Sequence, residues 1–191
     1  MDATDKNRRE SLIRLLKDPD ESVRKSAAEA LEKLEGKANL DTLCEIYRRG
    51  DKKTRLQAIY ALAKITDSSA SDTLVHALSS EEEDVRSAAV RVLGQRRDAK
   101  TIAPLIERLD DESLTIRILA VEALGKFEDK RLAPTLIDML KSENKYLLVS
   151  VIEALGNLRS PEAEEPLIDL LAHPEIEVRR AAAQALGELE I

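Results

Sequence analysis

Three thiol or imidazole side chains in the 191-residue sequence could ligate a transition metal or act as nucleophile or base: Cys44, His76 and His173. A thiol nucleophile needs a base within hydrogen-bond reach, and a metal ion needs several ligands converging on one point. The two histidines stand 97 positions apart and the cysteine is single, so no Cys/His cluster exists at ligand spacing. The other candidate chemistry is cationic. Arg48, Arg49, Lys52, Lys53 and Arg55 crowd the stretch YRRGDKKTR, where they could meet phosphate. Arg24, Arg55, Arg86, Arg117 and Arg179 recur at multiples of 31 residues, a spacing that could build a ladder of guanidinium groups for anions.

What those residues can do depends on the elements that carry them, and the elements repeat. Leu31, Leu62, Leu93, Leu124, Leu155 and Leu186 lie 31 apart without an insertion, as do Leu12, Leu43, Leu74, Leu105, Leu136 and Leu167. Eight residues before the first column stand Val23, Thr54, Val85, Ile116, Leu147 and Val178, and four before it Ala27, Ala58, Ala89, Ala120, Val151 and Ala182. Apolar residues inside each period fall at helical spacing, giving two short helices per repeat. Asp20, Asp51, Glu82, Ser113, Asn144 and Glu175 precede the second helices, and four of these six residue types are good N-caps. Gly94, Gly125, Gly156 and Gly187 recur near the second-helix ends, which points to close backbone packing or to termination. Two residues break their columns: Leu148 replaces the arginine, and Arg96 stands where Leu34, Ile65, Phe127, Leu158 and Leu189 are apolar. A loosened junction around Gln95–Asp98 is the expectation.

Helix pairs this short cannot bury both faces alone. The sequence therefore predicts an all-α fold, an α-solenoid of six stacked two-helix repeats (6–36, 37–67, 68–98, 99–129, 130–160 and 161–191) in one domain over 1–191. Aromatic residues at 2% and charged residues at 35% agree with helices better than with a β-sandwich. The single cysteine and the absence of an apolar signal core make the cytoplasm the expected compartment. No apolar run nears the roughly 20 residues that span a bilayer, so no membrane partner is expected.

The segments DPDESVRKSAAEAL (18–31), EEEDVRSAAVRVLG (81–94), APLIERL (103–109) and PEIEVRRAAAQALG (174–187) closely resemble the HEAT-like repeats of the phycocyanobilin-lyase (PBS lyase) type. The resemblance covers nearly the whole chain. It implies the solenoid fold and a family that includes bilin lyases, a metal-dependent hydroxylase, DNA glycosylases and plain scaffolds. The hydroxylase branch holds its metal with His-Glu pairs, and this sequence has none. Cys44 shares a column with Ile13, Val75, Ile106, Ile137 and Ile168 and reads as core; His76 and His173 read as solvated surface. In this repeat type the arginine column serves the turns of adjacent repeats. No catalytic residue, metal or cofactor is expected.

Charge weighs against nucleic acid. Repeats one to six carry net +1, +3, −2, −3, +2 and −6 within a total of −7, whereas phosphate binding wants a sustained positive stripe. Function then falls to the helix face not used for folding. Counting from the Val23 column as zero, offsets 2, 3, 6 and 10 of the second helix should face away from the core, toward the concave side. Repeat two places Leu56, Gln57, Tyr60 and Lys64 there, repeat four Ile118, Leu119, Glu122 and Lys126, and repeat five Val149, Ser150, Glu153 and Asn157. The expected function is a non-enzymatic interaction module or scaffold for a protein or peptide partner, anchored on Leu56, Tyr60, Lys64, Ile118, Leu119, Glu122, Val149 and Glu153. The alternatives are a non-catalytic subunit of an enzyme complex such as a lyase-type chaperone, and a nucleic-acid binder. The last repeat keeps an internal-type sequence, VRRAAAQALGELEI (178–191), which predicts self-association through that end or membership of a longer array.

Overall fold

The computed structural model describes residues 3–65 and 67–189. Position 66 and the last two residues of the sixth repeat lie outside them. The chain divides into two compact units, Met1–Thr66 and Asp67–Ile191, and the described residues are helices and turns.

The first unit holds α1 (Ala3–Leu15), α2 (Glu21–Arg49) and α3 (Lys52–Leu62). Asp20 starts α2 by accepting the amides of Ser22 and Val23, and Asp51 starts α3 by accepting that of Thr54. Both carboxyls are held below the usual carboxylate value, first by the side-chain hydrogen bond from Ser22 or Thr54 and then by those amides. The repeat boundary between 36 and 37 falls inside α2, which runs on for 29 residues. A cap is missing there. In the second unit Asp67, Asp98 and Asp129 each accept the amide two residues ahead, at 2.8 to 3.1 Å, and so hold open the break before a new repeat. Gly36 occupies the same column and offers no acceptor, so nothing competes with the continuing helical ladder. One consequence is visible at Ala28: it is exposed, while Ile59, Val90, Val121 and Ile152 in its column are wholly buried.

The second unit opens with α4 (Ser69–Ala77) and α5 (Glu83–Arg96) and continues with three similar pairs. These are α6 (Ile102–Ile106) with α7 (Leu114–Gly125), α8 (Ala133–Asp138) with α9 (Lys145–Leu158), and α10 (Glu164–Asp169) with α11 (Ile176–Glu188). Each of α6, α8 and α10 is framed by 3₁₀ turns. Pro104, Pro134 and Pro166 sit in their first turns, where a missing N–H costs little. The second helices stack in order, α5 on α7, α7 on α9 and α9 on α11. Val85, Ala89, Val90, Leu93, Ile116, Ala120, Leu124, Val151 and Leu155 are fully enclosed between the layers.

The glycine column reports close approach and not termination. A Cβ on Gly94 would lie 2.6 Å from that of Ala123, and one on Gly125 2.9 Å from that of Ala154; at Gly156 the distance to Ala185 is 3.0 Å. Each glycine thus receives the alanine 29 residues later on the next helix. Three residues further on, Arg97, Glu128 and Arg159 adopt left-handed backbone with φ of 50°, 55° and 50°, and these turn the chain out of its helix. A glycine-to-alanine series separates the two environments. Gly94→Ala should destabilise by about 1–3 kcal/mol through overpacking, whereas Gly36→Ala, with nothing within 4 Å of its added methyl, should stabilise by up to about 1 kcal/mol. Thermal melts check both. A loss at Gly36 would show that α2 breaks there.

Caps and arginines depart from expectation in detail. Ser113 is a good cap by type, but its hydroxyl bonds Glu83 at 2.8 Å and makes no cap bond; Asn144 does cap α9. Four of the five column arginines serve the turn of their own repeat, not chiefly a neighbour's. Arg24, Arg86, Arg117 and Arg179 donate Nη1 to the carbonyls six and five residues upstream, at 2.7 to 3.4 Å. Arg86 alone of these four also crosses to the next turn within the described bonds, reaching buried Asp111 and exposed Glu112, each at 3.2 Å. The Gln95–Asp98 junction is not loosened. Arg96 continues α5 to its end, and its Nη2 donates to the Asp67 carbonyl at 3.0 Å.

Candidate functional site

Folding consumes one of the offsets expected to face outward. Offsets 6 and 10 are exposed in every second helix, and offset 2 is half-buried in α3, α5, α7 and α9. Offset 3 is different: Ala88, Leu119, Ser150 and Ala181 are buried, Leu119 at 5% exposure. Leu119 is therefore core and leaves the candidate site. The reason lies in the stacking, because offsets 3 and 7 share one side of the helix, and offset 7 carries the alanines that face the preceding layer's glycines.

The remaining candidates fall in two groups, one per unit. On α3, Tyr60 is 53% exposed, Leu56 half-buried, and Lys64 exposed in the turn that follows. On the packed pair α7 and α9, Ile118 and Val149 are half-buried at one offset, and Glu122 and Glu153 are exposed one helical turn on. The same offsets hold Ser87 and Arg91 on α5, and Arg180 and Gln184 on α11. An apolar and acidic patch thus sits between polar or basic neighbours.

Beyond the patch lies a groove of about 710 Å³ across the C-terminal ends of α5, α7, α9 and α11. Gly94 and Gly125 line it, since helices that touch without side chains leave a trough above the contact. Gln95, Lys126, Asn157 and Glu188 supply its offset-10 wall, and Arg97, Glu128 and Arg159 the far side. Two cross-repeat ion pairs lie among these residues: Arg97 to Glu128 at 3.3 Å along the far side, and Arg159 to Glu188 at 3.7 Å between the two walls. Helical periodicity assigned Lys126 and Asn157 outward but said nothing of Arg97, Glu128 and Arg159. Their left-handed conformation lies outside any helical wheel, and only their shared 31-residue period could have flagged them.

The other chemical candidates have local duties. Cys44 is buried at 8% exposure. His76 is exposed, whereas His173 is half-buried and not simply solvated: its Nδ1 accepts the Glu175 amide and its carbonyl accepts from Arg179. In the basic turn, Arg48 and Arg49 both pair with Glu45 at the C-terminus of α2, where cations are favoured by the helix dipole. Among the described residues no three His, Cys, Asp or Glu side chains are placed to share a metal ion, and no helix is long and apolar enough to cross a membrane.

Comparison with known proteins returned no curated relative, but several solved structures align over most of the chain. The complex of CpcE and CpcF of phycocyanin lyase from Nostoc sp. PCC7120 matches at 27% identity with a TM-score of 0.68. The alignment covers 78% of this chain and 64% of that one. A designed armadillo repeat protein in complex with peptide (KR)4 matches at 20% identity, 94% and 98% coverage and a TM-score of 0.59. YibA of Escherichia coli matches at 22% identity, 98% and 71% coverage and a TM-score of 0.58. The profile of HEAT repeats matches residues 4–63, 40–125, 71–147 and 133–190, and with the stacked helix pairs above this shows that the chain belongs to the HEAT repeat family, with an all-α solenoid fold.

Proposed function

We propose that residues 1–191 act as one array of six repeats, a non-enzymatic, cytoplasmic interaction module that binds a protein or peptide on the exposed face of its second helices. One observation carries this reading: Ile118 and Val149 stay half-exposed on adjacent helices, each beside an exposed glutamate, at offsets that are polar on either side. Apolar groups with an acidic flank suit a segment whose apolar anchors alternate with basic residues. Tyr60 offers a second anchor on α3, an apolar ring with a hydroxyl that loses little side-chain entropy on binding. The likeness to the CpcE–CpcF complex supports a second reading, a non-catalytic subunit that pairs with another chain of a lyase-type complex. The internal-type face of the last repeat supports association of the chain with itself.

Paired affinity capture from native lysate, using wild type and variants as baits with mass spectrometry as readout, tests the main reading. Ile118→Asp or Tyr60→Ala should weaken the captured partner by about 2 kcal/mol or more, in the range of interface hot spots, with melting little changed. Exposed Glu107→Ala should change neither. Binding that survives both patch substitutions refutes the assignment.

A further inference from the structure

We propose that two copies of this chain pair by exchanging their first repeats, the first repeat of each stacking on the second repeat of the other while both α2 helices stay straight. The surfaces involved are separate from the patch on α7 and α9. They meet at a junction inside the first unit, between residues 6–36 and 37–67, where both of the surfaces that stacking buries elsewhere are open. On the first repeat Ala28 is exposed where Val90, Val121 and Ile152 are wholly buried, and Leu31 is half-buried where Leu93, Leu124 and Leu155 are wholly buried. On the second repeat Leu43 is half-buried where Leu105, Leu136 and Leu167 are wholly buried. Gln57 is exposed where Leu119, Ser150 and Ala181 are buried, and Ala61 is half-buried where Ala123, Ala154 and Ala185 are at most 4% exposed. In the second unit the helices carrying these columns stack on one another, α5 on α7, α7 on α9 and α9 on α11. Each open surface is thus one for which the same chain carries the match.

A straight α2 keeps the two surfaces from meeting within one molecule. The helix runs unbroken because Gly36 lacks the side-chain acceptor with which Asp98 and Asp129 open their junctions. At about 1.5 Å and 100° per residue, Ala28 and Leu43 stand roughly 22 Å apart along α2 and about 60° apart around it, so both look out on one side. Their placement about Gly36 is nearly symmetric, eight residues before it and seven after. A second copy laid antiparallel across that side, on a two-fold axis near Gly36, brings its Leu43 surface to Ala28 and its Ala28 surface to Leu43. Both contacts form together, so the assembly closes at two. Closure inside one chain would instead break α2 where no side chain caps the freed amides and carbonyls. Pairing buries the same columns with the helix intact.

Sedimentation of the 191-residue chain across a concentration series should show monomer passing to dimer and stopping there. Ala28→Glu and Gln57→Arg both alter side chains that are exposed in the single chain. Each should raise the dissociation constant at least about tenfold, with the helical content of the dilute chain unchanged. Mixed together, the two variants should dimerise more tightly than either alone, because one of the two contacts then joins two intact surfaces. Spin labels on exposed Lys25 and Arg48, in labelled chains diluted with unlabelled protein, measure α2 within the dimer. A straight helix sets those positions about 35 Å apart. A wild type that stays monomeric at every concentration overturns the proposal, as does a dimer indifferent to Gln57→Arg or a mixture no tighter than its components. A label separation of about 20 Å or less overturns it too, since α2 has then broken and the chain has closed on itself.

Discussion

Leu124→Ala is expected to lower stability by about 2–5 kcal/mol in a denaturant titration, whereas Leu186→Ala, the same column at the end of the stack, should lose markedly less. Leu124 is completely enclosed, between the layers built by α5 and α9 on either side of α7, while Leu186 has no following layer among the described residues and is half-buried. Truncation at Leu124 removes three carbons of buried side chain and leaves a cavity that close-packed helices cannot collapse, so a transfer loss and a cavity loss add. At Leu186 the same atoms were partly in water already. Equal losses at the two positions, measured at concentrations where the chain is monomeric, would contradict the layered packing. A loss under about 1 kcal/mol at Leu124 would show that the repeat register is wrong.

Asp111→Ala should cost about 3–5 kcal/mol, far more than removal of an ordinary surface charge. The Asp111 side chain is 5% exposed and that of Arg86 6%, and Arg86 Nε lies 3.1 Å from Asp111 Oδ2 at an angle that makes an ion pair without a hydrogen bond. Asp111 Oδ1 accepts from Arg86 Nη2 at 3.2 Å and from the Ser113 amide at 3.0 Å, and Arg108 Nη1 stands 3.8 Å from Oδ2. Without the carboxylate, two guanidinium groups lose their buried counter-charge. Glu112 is too exposed to replace it, with 85% of its side chain in solvent. The protein itself supplies the compensating change: Leu148 fills the arginine column in repeat five at 3% exposure, and the turn facing it in the next repeat has His173 in place of an aspartate. Arg86→Leu combined with Asp111→Ala should therefore recover much of the loss in a double-mutant cycle. Additive losses would mean that the pair does not act as a unit.

The chemistry in this chain is mostly structural, and its residues were legible in different degrees. The arginine column was visible as a column, yet its role needed coordinates: an Nη1 that reaches back five and six residues is set by the turn's backbone path. Leu119 shows the same limit from the other side. A helical wheel ranks an offset as outward by its distance from the apolar stripe, but a stacked layer has two flanks, and offset 3 is covered by the preceding helix. Tyr60, Ile118, Glu122, Val149 and Glu153 remained accessible because offsets 2 and 6 point between those flanks.

The sequence alone determined the period, the two helices of most repeats, the leucine and alanine columns of the core and the family to which they belong. Each depends on interactions within about one repeat or between repeats of identical spacing, so a one-dimensional pattern carries them. Tertiary structure decided the rest. Glycines became contact points only when a neighbouring alanine was found against them, and α2 became a single helix because Gly36 lacks the side chain that its column uses to stop one. The groove beside Arg97, Glu128 and Arg159 exists because three residues leave helical geometry in register. These features depend on which backbone lies against which, and residue type at a fixed spacing specifies the partners of a layer but not the space left between them.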